Sequence, residues 1–343
     1  MKSISINNDV QIGQGSPTFI SVDIGKNHLG SLDLAKYLIL KAKETGVTGV
    51  KFQTHVVDDE QRKEHIISPH FNKSRYEWVR DNTMPFEWWN ELFHFANENA
   101  VLAYSTPMSL KAAELLEKLG IPIFKIGSAD VSDLEMIEFI TDLKKPVFLS
   151  SGMHNMEDLE LAVNTIRKKH DNIILMHCVS NYPCPPEGLN IKIMKTLQKR
   201  FELPVGLSSH ALSLPTDFAA VALGAVAIEK HFSLMRDMPG PDHKVSLIPQ
   251  ELTRLVHGIR EVETCIGSSD KLIQNSEEKF IPVFHKSVTS LIKIKKGETL
   301  NKEMVTLKRP GGGIYWKDLS KILGKKANRD ILADHLLLAE YFI

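Results

Sequence analysis

Two lysines and two histidines in this sequence stand where side chains of their type are costly unless they do chemistry. Lys51 and Lys125 lie inside short apolar runs, GVKFQ and IPIFKIG, whose β-branched and aromatic character marks strands that turn alternate side chains inward. A buried ammonium without a partner is expensive. Each lysine should therefore meet an anion, either a bound carboxylate or phosphate or an internal carboxylate from Asp23, Asp130 or Glu229. Ser128 and Ser150 add hydroxyl donors for the same anion. His210 and His231 close two further apolar runs, GLSSH and VAIEKH. A lone histidine is more often a hydrogen-bonding group than a ligand. Two at the ends of consecutive strands, with Asp242 of the PGPDH segment within reach, make a candidate divalent-metal site. Imidazole with oxygen and water ligands suits Mn2+, with Mg2+ or Co2+ as alternatives, better than a closed tetrahedral zinc site.

Such groups need a frame, and the runs supply one. FISVD ends at Asp23, GVKFQ at Gln53, VLAYS at Ser105, IPIFKIG at Gly127, PVFLSS at Ser151, IILMHC at Cys178, PVGLSSH at His210 and VAIEKH at His231. Amphipathic stretches alternate with them: Leu32 to Thr45, Pro85 to Asn99, Leu110 to Leu119, Met156 to Lys169, Thr216 to Leu223 and Pro249 to Cys265. Eight βα units over roughly 265 residues fit a (β/α)8 TIM barrel. The competing doubly wound sheet would want a Gly-rich dinucleotide loop after the first strand, and GKNHLG lacks the spacing.

Active-site groups of such a barrel come from the C-terminal strand ends and the loops behind them. Here those ends carry Asp23, Asn27 and His28; Lys51 and Gln53; Ser105 and Thr106; Lys125, Ser128 and Asp130; Ser150 and Ser151; His177, Ser180 and Tyr182; Ser208 and His210; Glu229 and His231. The connection from Thr54 to Met84 is far longer than an ordinary βα loop, as a lid or a partner contact would be.

Composition narrows the class. Of 343 residues, 43% are hydrophobic and 24% charged, and 42 basic residues balance 42 acidic ones. No long-range field is left to gather nucleic acid or an anionic membrane. The start, MKSISINNDVQIGQGSP, alternates like a hairpin over residues 1–16 and lacks a signal-peptide core. The most apolar stretch, Ala219 to Ile228, is about half of the roughly 20 residues a membrane span needs. These features predict a cytoplasmic protein, and Cys178, Cys184 and Cys265 fit reduced thiols. The barrel domain is expected over 1–266, a polar linker over 267–284, and a small β-containing domain over 285–343, carrying the glycine run RPGGG.

The motifs, taken in order, resemble the sialic-acid-synthase family: NH-x-G after the first strand, VKFQTH, STP, KIGS, LSSGM, HC followed by YP, GLSSH, EKHF, PGPDH and KRPGGG. The resemblance covers nearly the whole chain. It implies condensation of phosphoenolpyruvate with N-acetylmannosamine or a related amino sugar, and a C-terminal domain similar to type III antifreeze proteins (SAF). On matching positions it implies His210 and His231 as metal ligands. Lys51, Thr106, Lys125, Ser128, Ser150, Ser180 and Ser208 form the implied phosphoenolpyruvate pocket, with Gln53, Tyr182 and Asp242 nearer the sugar, Asp130 also substrate-binding, and Asp23 or Asp242 handling protons. It further implies that Arg309 enters the barrel mouth of a second protomer in a domain-swapped homodimer. Two positions depart from the family pattern: Asp23 and Asp130 stand where glutamate is common, each withdrawing its charge by about one methylene. Two other functions remain for the same frame, a Schiff-base pyruvate aldolase using Lys125 and a non-catalytic sugar-binding or assembly protein.

Overall fold

A computed structural model of the chain describes residues 3–7, 9–63, 67 and 73–343. It divides into two compact units, Met1–Gly267 and Ser268–Ile343.

The first unit is a closed parallel barrel. Its strands are β3 (Phe19–Gly25), β4 (Gly49–Thr54), β5 (Leu102–Pro107), β6 (Phe124–Ile126), β7 (Val147–Ser150), β8 (Ile173–Cys178), β9 (Val205–Ser209) and β10 (Ala227–His231), with β10 closing onto β3. The eight runs read from the sequence are these eight strands. They are buried almost throughout, which is why they read as continuous apolar runs. Helices start where a polar side chain can take up a free backbone N–H: Ser31 accepts from Leu34 N, Ser109 from Ala112 N, and Asn155 forms a capping box with Asp158. All six helical stretches are helices, and Leu134–Asp142 and Ile193–Phe201 are added to them.

The barrel is chemically polarised along its axis. At its N-terminal end Phe19, Tyr104, Phe148, Ile174 and Met176 pack with Ile4, Ile6 and Ile12. The last three come from a two-stranded hairpin, β1 (Ile4–Ser5) and β2 (Gln11–Ile12). That apolar plug closes the N-terminal end, and the polar strand-end side chains gather at the C-terminal end.

Two irregularities aim side chains at that end. β3 shifts register between Asp23 and Gly25, and Gly25 takes φ +52, a conformation that disfavours any Cβ. The run expected as a strand to Gly127 pairs only over Phe124–Ile126, then folds into a single turn, Ser128–Asp130.

The long connection after β4 contributes two short helices, Val57–Glu60 and Arg75–Asp81; residues 64–66 and 68–72 of it lie outside the described residues. Buried Lys26 donates from Nζ to Val79 O at 3.1 Å and Thr83 Oγ1 at 2.8 Å, satisfying the C-terminal carbonyls of the second helix. Among the described residues no helix is long and apolar enough to cross a membrane.

The second unit is largely irregular. β11 (Ser287–Ser290) pairs antiparallel with β12 (Val305–Lys308), and isolated bridges such as Ile294 to Ile331 and Ala327 to Phe342 fasten the rest. Val288, Ile294, Leu300, Ile331 and Leu337 form its core. The segment expected as a featureless linker contains two helical turns, Asn275–Glu278 and Ile281–Phe284.

Candidate active site

A cavity of about 650 Å³ opens at the C-terminal end of the barrel, large enough for two small substrates. Its base is an ion cluster. Glu229 Oε1 accepts from Lys51 Nζ at 3.0 Å, Lys125 Nζ at 2.9 Å and Ser208 Oγ at 3.0 Å. Lys51 Nζ also lies 2.9 Å from Asp23 Oδ2, and Gln53 Nε2 donates to the same oxygen at 3.3 Å. The strands dictate this meeting, because Asp23 is in register with both Lys51 and His231, and Glu229 with Ser208. Of the two kinds of partner open to the lysines, the chain itself supplies the internal carboxylate. Asp130, the third carboxylate considered, does not join.

The two ammonium groups are unequally compensated. Burial would lower Lys51, yet the Asp23 and Glu229 carboxylates hold it above its ordinary value. Lys125 has Glu229 alone, and burial, with Lys51 nearby, leaves it below its ordinary value. Glu229, despite burial, is held well below the carboxylate range by Lys125 and Lys51. Each ammonium has three donors, and Lys125 spends one on this cluster.

On the next strand ends stand the histidines, with ring centroids 5.4 Å apart. His210 Nδ1 donates to Val179 O at 2.8 Å, which leaves the lone pair on Nε2. Burial lowers His231 below its ordinary value, against the pull of Asp23 and Asp242, so it is a neutral imidazole. Its Nε2 is 3.8 Å from Asp23 Oδ2, and its buried Nδ1 has no hydrogen-bond partner among the described residues. Tyr182 covers His210 at a centroid distance of 3.9 Å. Asp242 does not close a third side: no group of three or more His, Cys, Asp or Glu side chains among the described residues is arranged to hold a metal ion. Its carboxylate turns toward Gly25. A Cβ on Gly25 would lie 3.2 Å from Gln53 Nε2, 3.4 Å from Asp242 Oδ2 and 3.5 Å from Asp23 Oδ1. The left-handed glycine thus lets three polar side chains of the sequence reading converge.

A second glycine does the same for the hydroxyls. A Cβ on Gly152 would stand 2.5 Å from Ser180 Oγ and 2.6 Å from Ser128 Oγ, so only glycine lets both serines share that corner. Thr106 Oγ1 and Asp130 Oδ2 are buried without partners among the described residues. Burial, with Glu60 and Asp133 close by, pushes Asp130 up to about 7.

Asp23, Lys51, Gln53, Thr106, Lys125, Ser128, Asp130, Ser150, Ser180, Tyr182, Ser208, His210, His231 and Asp242 all line this one cavity. Arg309 belongs to the second unit, where it is exposed and its Nε donates to Phe284 O at 2.6 Å. Several other strand-end residues are spent elsewhere. Asn27 donates to Phe232 O and Ser246 Oγ, Ser105 pairs with Thr54, and His177 Nε2 bonds Leu189 O. The cavity also holds residues that the sequence reading passed over. Cys178 shares a hydrogen bond with His210, which, against burial, draws the thiol below its ordinary value. Lys26, His55 and Arg75 line the mouth. Cys178 was open to detection, since strand alternation turns it inward two places after inward-facing Met176.

The NeuB family matches residues 38–271 and the SAF domain residues 286–342. The N,N'-diacetyllegionaminic acid synthase of Campylobacter jejuni is 37% identical over 93% of this chain and 98% of its own. The human N-acetylneuraminate-9-phosphate synthase is 32% identical over 96% of this chain and 94% of its own. The crystal structure of the N-acetylneuraminic acid synthetase from Leptospira borgpetersenii superposes with a TM-score of 0.75 at 29% identity, covering 82% of this chain and 95% of that one.

Proposed function

Because the chain belongs to the NeuB family, we propose that this enzyme condenses phosphoenolpyruvate with N-acetylmannosamine or a related amino-sugar aldehyde, forming a nonulosonic acid and releasing phosphate. Relatives named as legionaminic acid and N-acetylneuraminate-9-phosphate synthases support the product class. The observation that carries the reading is the division of one cavity. One side has two buried ammonium groups beside serine hydroxyls, suited to a small dianion. The other has an imidazole pair beside carboxylates, suited to a polarised carbonyl.

In this reading Lys125 and Lys51 turn their remaining donors to the carboxylate and phosphate of phosphoenolpyruvate, joined by Thr106, Ser128, Ser150, Ser180 and Ser208. Gln53, Asp130, Tyr182 and Asp242 orient the acceptor. The residues present fit a divalent cation, since burial holds His231 toward its neutral form with a bare buried Nδ1, and His210, its Nδ1 on Val179 O, has Nε2, shared with Cys178, as its second donor atom. Held by His210 and His231, Mn2+, or Mg2+ or Co2+, would polarise the acceptor carbonyl as a Lewis acid. C3 of phosphoenolpyruvate bonds to the aldehyde carbon, whose oxygen takes up a proton. Electron-poor C2 then takes the oxygen of a water, one of whose protons passes to Asp23 or Asp242; as the bond from C2 to the phosphate oxygen breaks, phosphate leaves with the electron pair and the C2 hydroxyl gives up its remaining proton to solvent, leaving the 2-keto acid. Holding both substrates in one cavity removes the entropy of a bimolecular encounter. The family resemblance assigns Arg309 to the cavity of a second protomer in a domain-swapped homodimer, and we carry that assignment into the reading.

A phosphate-release screen with phosphoenolpyruvate, Mn2+ and a panel of N-acylated hexosamines tests it. Release that requires both substrates, with an acid product by mass spectrometry, is expected. Silence across the panel, with sugar still bound, would favour a binding protein.

A further inference from the structure

His55 is the residue beyond the cavity's main machinery whose geometry asks for a ligand. It follows β4 directly and lines the cavity. Its side chain is 2% exposed, and its buried Nε2 has no hydrogen-bond partner among the described residues. Its other nitrogen, Nδ1, is 2.6 Å from Glu60 Oε2. Glu60 is held below its ordinary carboxylate value, since His55, Gln61 and Arg75 outweigh its burial. An ionised carboxylate can only accept, so Nδ1 carries the proton and Nε2 presents a bare lone pair. Burial lowers His55 to about 4, consistent with an uncharged ring.

An unsatisfied acceptor buried at a cavity wall costs free energy until a donor reaches it. The nature of that donor follows from its surroundings. Thr106 Oγ1, on the neighbouring strand β5, and Asp130 Oδ2, in the turn after β6, are also without partners among the described residues, and the field there joins Glu60, Asp130 and Asp133 to Arg75 and Lys26. A bare imidazole lone pair cannot bond an ionised phosphate or carboxylate, which only accept, and calls for a group that donates. In the barrel order β4, which His55 follows, lies beside β5, which carries Thr106, and two strands from β10, which carries His231. This wall therefore stands about a quarter-turn round the mouth from His231.

Resting on the condensation reading, we propose that His55, oriented by Glu60, is a specificity-determining residue that accepts a hydrogen bond from a hydroxyl or amide N–H of the amino sugar. Glu60 is a positioning residue, acting through His55.

The test pairs kinetics with a readout independent of turnover. In His55→Ala the KM for N-acetylmannosamine should rise about tenfold, the size of one hydrogen bond to a neutral group, while the KM for phosphoenolpyruvate stays put. Glu60→Gln, which keeps an acceptor for Nδ1, should show a smaller rise. Among singly deoxygenated acceptors, one should be discriminated against by the wild type and accepted as well as the parent sugar by His55→Ala. In parallel, nitrogen NMR of the histidine-labelled wild type, assigned with the same variant, should show the His55 Nε2 resonance move on adding N-acetylmannosamine alone. A resonance shift without phosphate release would uphold the contact while sinking the condensation reading. Turnover with an unmoved Nε2 resonance and an unchanged acceptor KM in His55→Ala would overturn the contact and leave that reading standing. A purely structural role for His55 would raise both KM values together, which also overturns it.

Discussion

Asp130 carries a pH signature close to neutrality. Burial, with Glu60 and Asp133, pushes it up to about 7, Arg75 opposing. Below that pH it is an uncharged acid; above it, a carboxylate and a stronger acceptor for the donors of a sugar. The acceptor KM should therefore fall as pH rises through 7, and Asp130→Asn should flatten that dependence in a pH-resolved rate assay. Stability moves the other way. The folded state holds the proton over a range where the unfolded state has released it, so ionisation costs folding energy as pH rises toward 7. Asp130→Asn should gain stability over the wild type progressively as pH rises from the ordinary carboxyl value to about 7, and hold that gain above it. Glu229 makes the opposite case, a carboxylate that must stay charged. Glu229→Gln leaves Lys51 and Lys125 buried with one carboxylate between them. Breaking a buried ion cluster from one side costs about 3–5 kcal/mol, readable as a drop in denaturant midpoint. An unchanged midpoint would mean that the lysines do not depend on it.

At the scale of elements, the alternation of a strand decides which polar residues matter. Along β10, Glu229 and His231 face inward, while Lys230 between them turns out to pair with buried Asp217 at 3.2 Å. Along β5, Thr106 reaches the cavity and Ser105 bonds Thr54. The barrel, its eight strands and most of its cavity residues were legible because apolar runs and their polar ends follow this period-two rule. Applied strictly, the same rule separates Cys178 from His177. What was not legible depended on irregular backbone. The shortened β6 that folds Asp130 back, the convergence on Gly25, and the His55–Glu60 pair all arise in turns and short helices with no sequence period. The helix Arg75–Asp81 adds a test of its own. Lys26 is its cation at the C-terminal end, and Lys26→Met removes those hydrogen bonds while keeping the length of the side chain. Amide exchange over 75–83 should quicken by about tenfold, given roughly 1 kcal/mol per lost hydrogen bond, with exchange in the barrel strands unchanged. Equal protection in the variant would show that the helix is held by its apolar contacts alone.

At the scale of the molecule, the proposed domain-swapped homodimer makes a distinctive demand. Arg309→Ala and His210→Ala should each be nearly inactive, and mixing them after reversible dissociation should restore activity, because a mixed dimer holds one complete cavity. No recovery, in a sample shown by mass to contain mixed dimers, would place Arg309 outside the partner's site. The central claim concerns which bond breaks once the new carbon–carbon bond has formed. With phosphoenolpyruvate carrying 18O in its bridging oxygen and the best acceptor of the panel, mass spectrometry of both products reads the answer directly. The label is expected entirely in the released phosphate, with an oxygen from solvent at C2 of the acid. Label retained in the acid, or phosphate released without an acid product, would contradict water attack at C2 within this cavity.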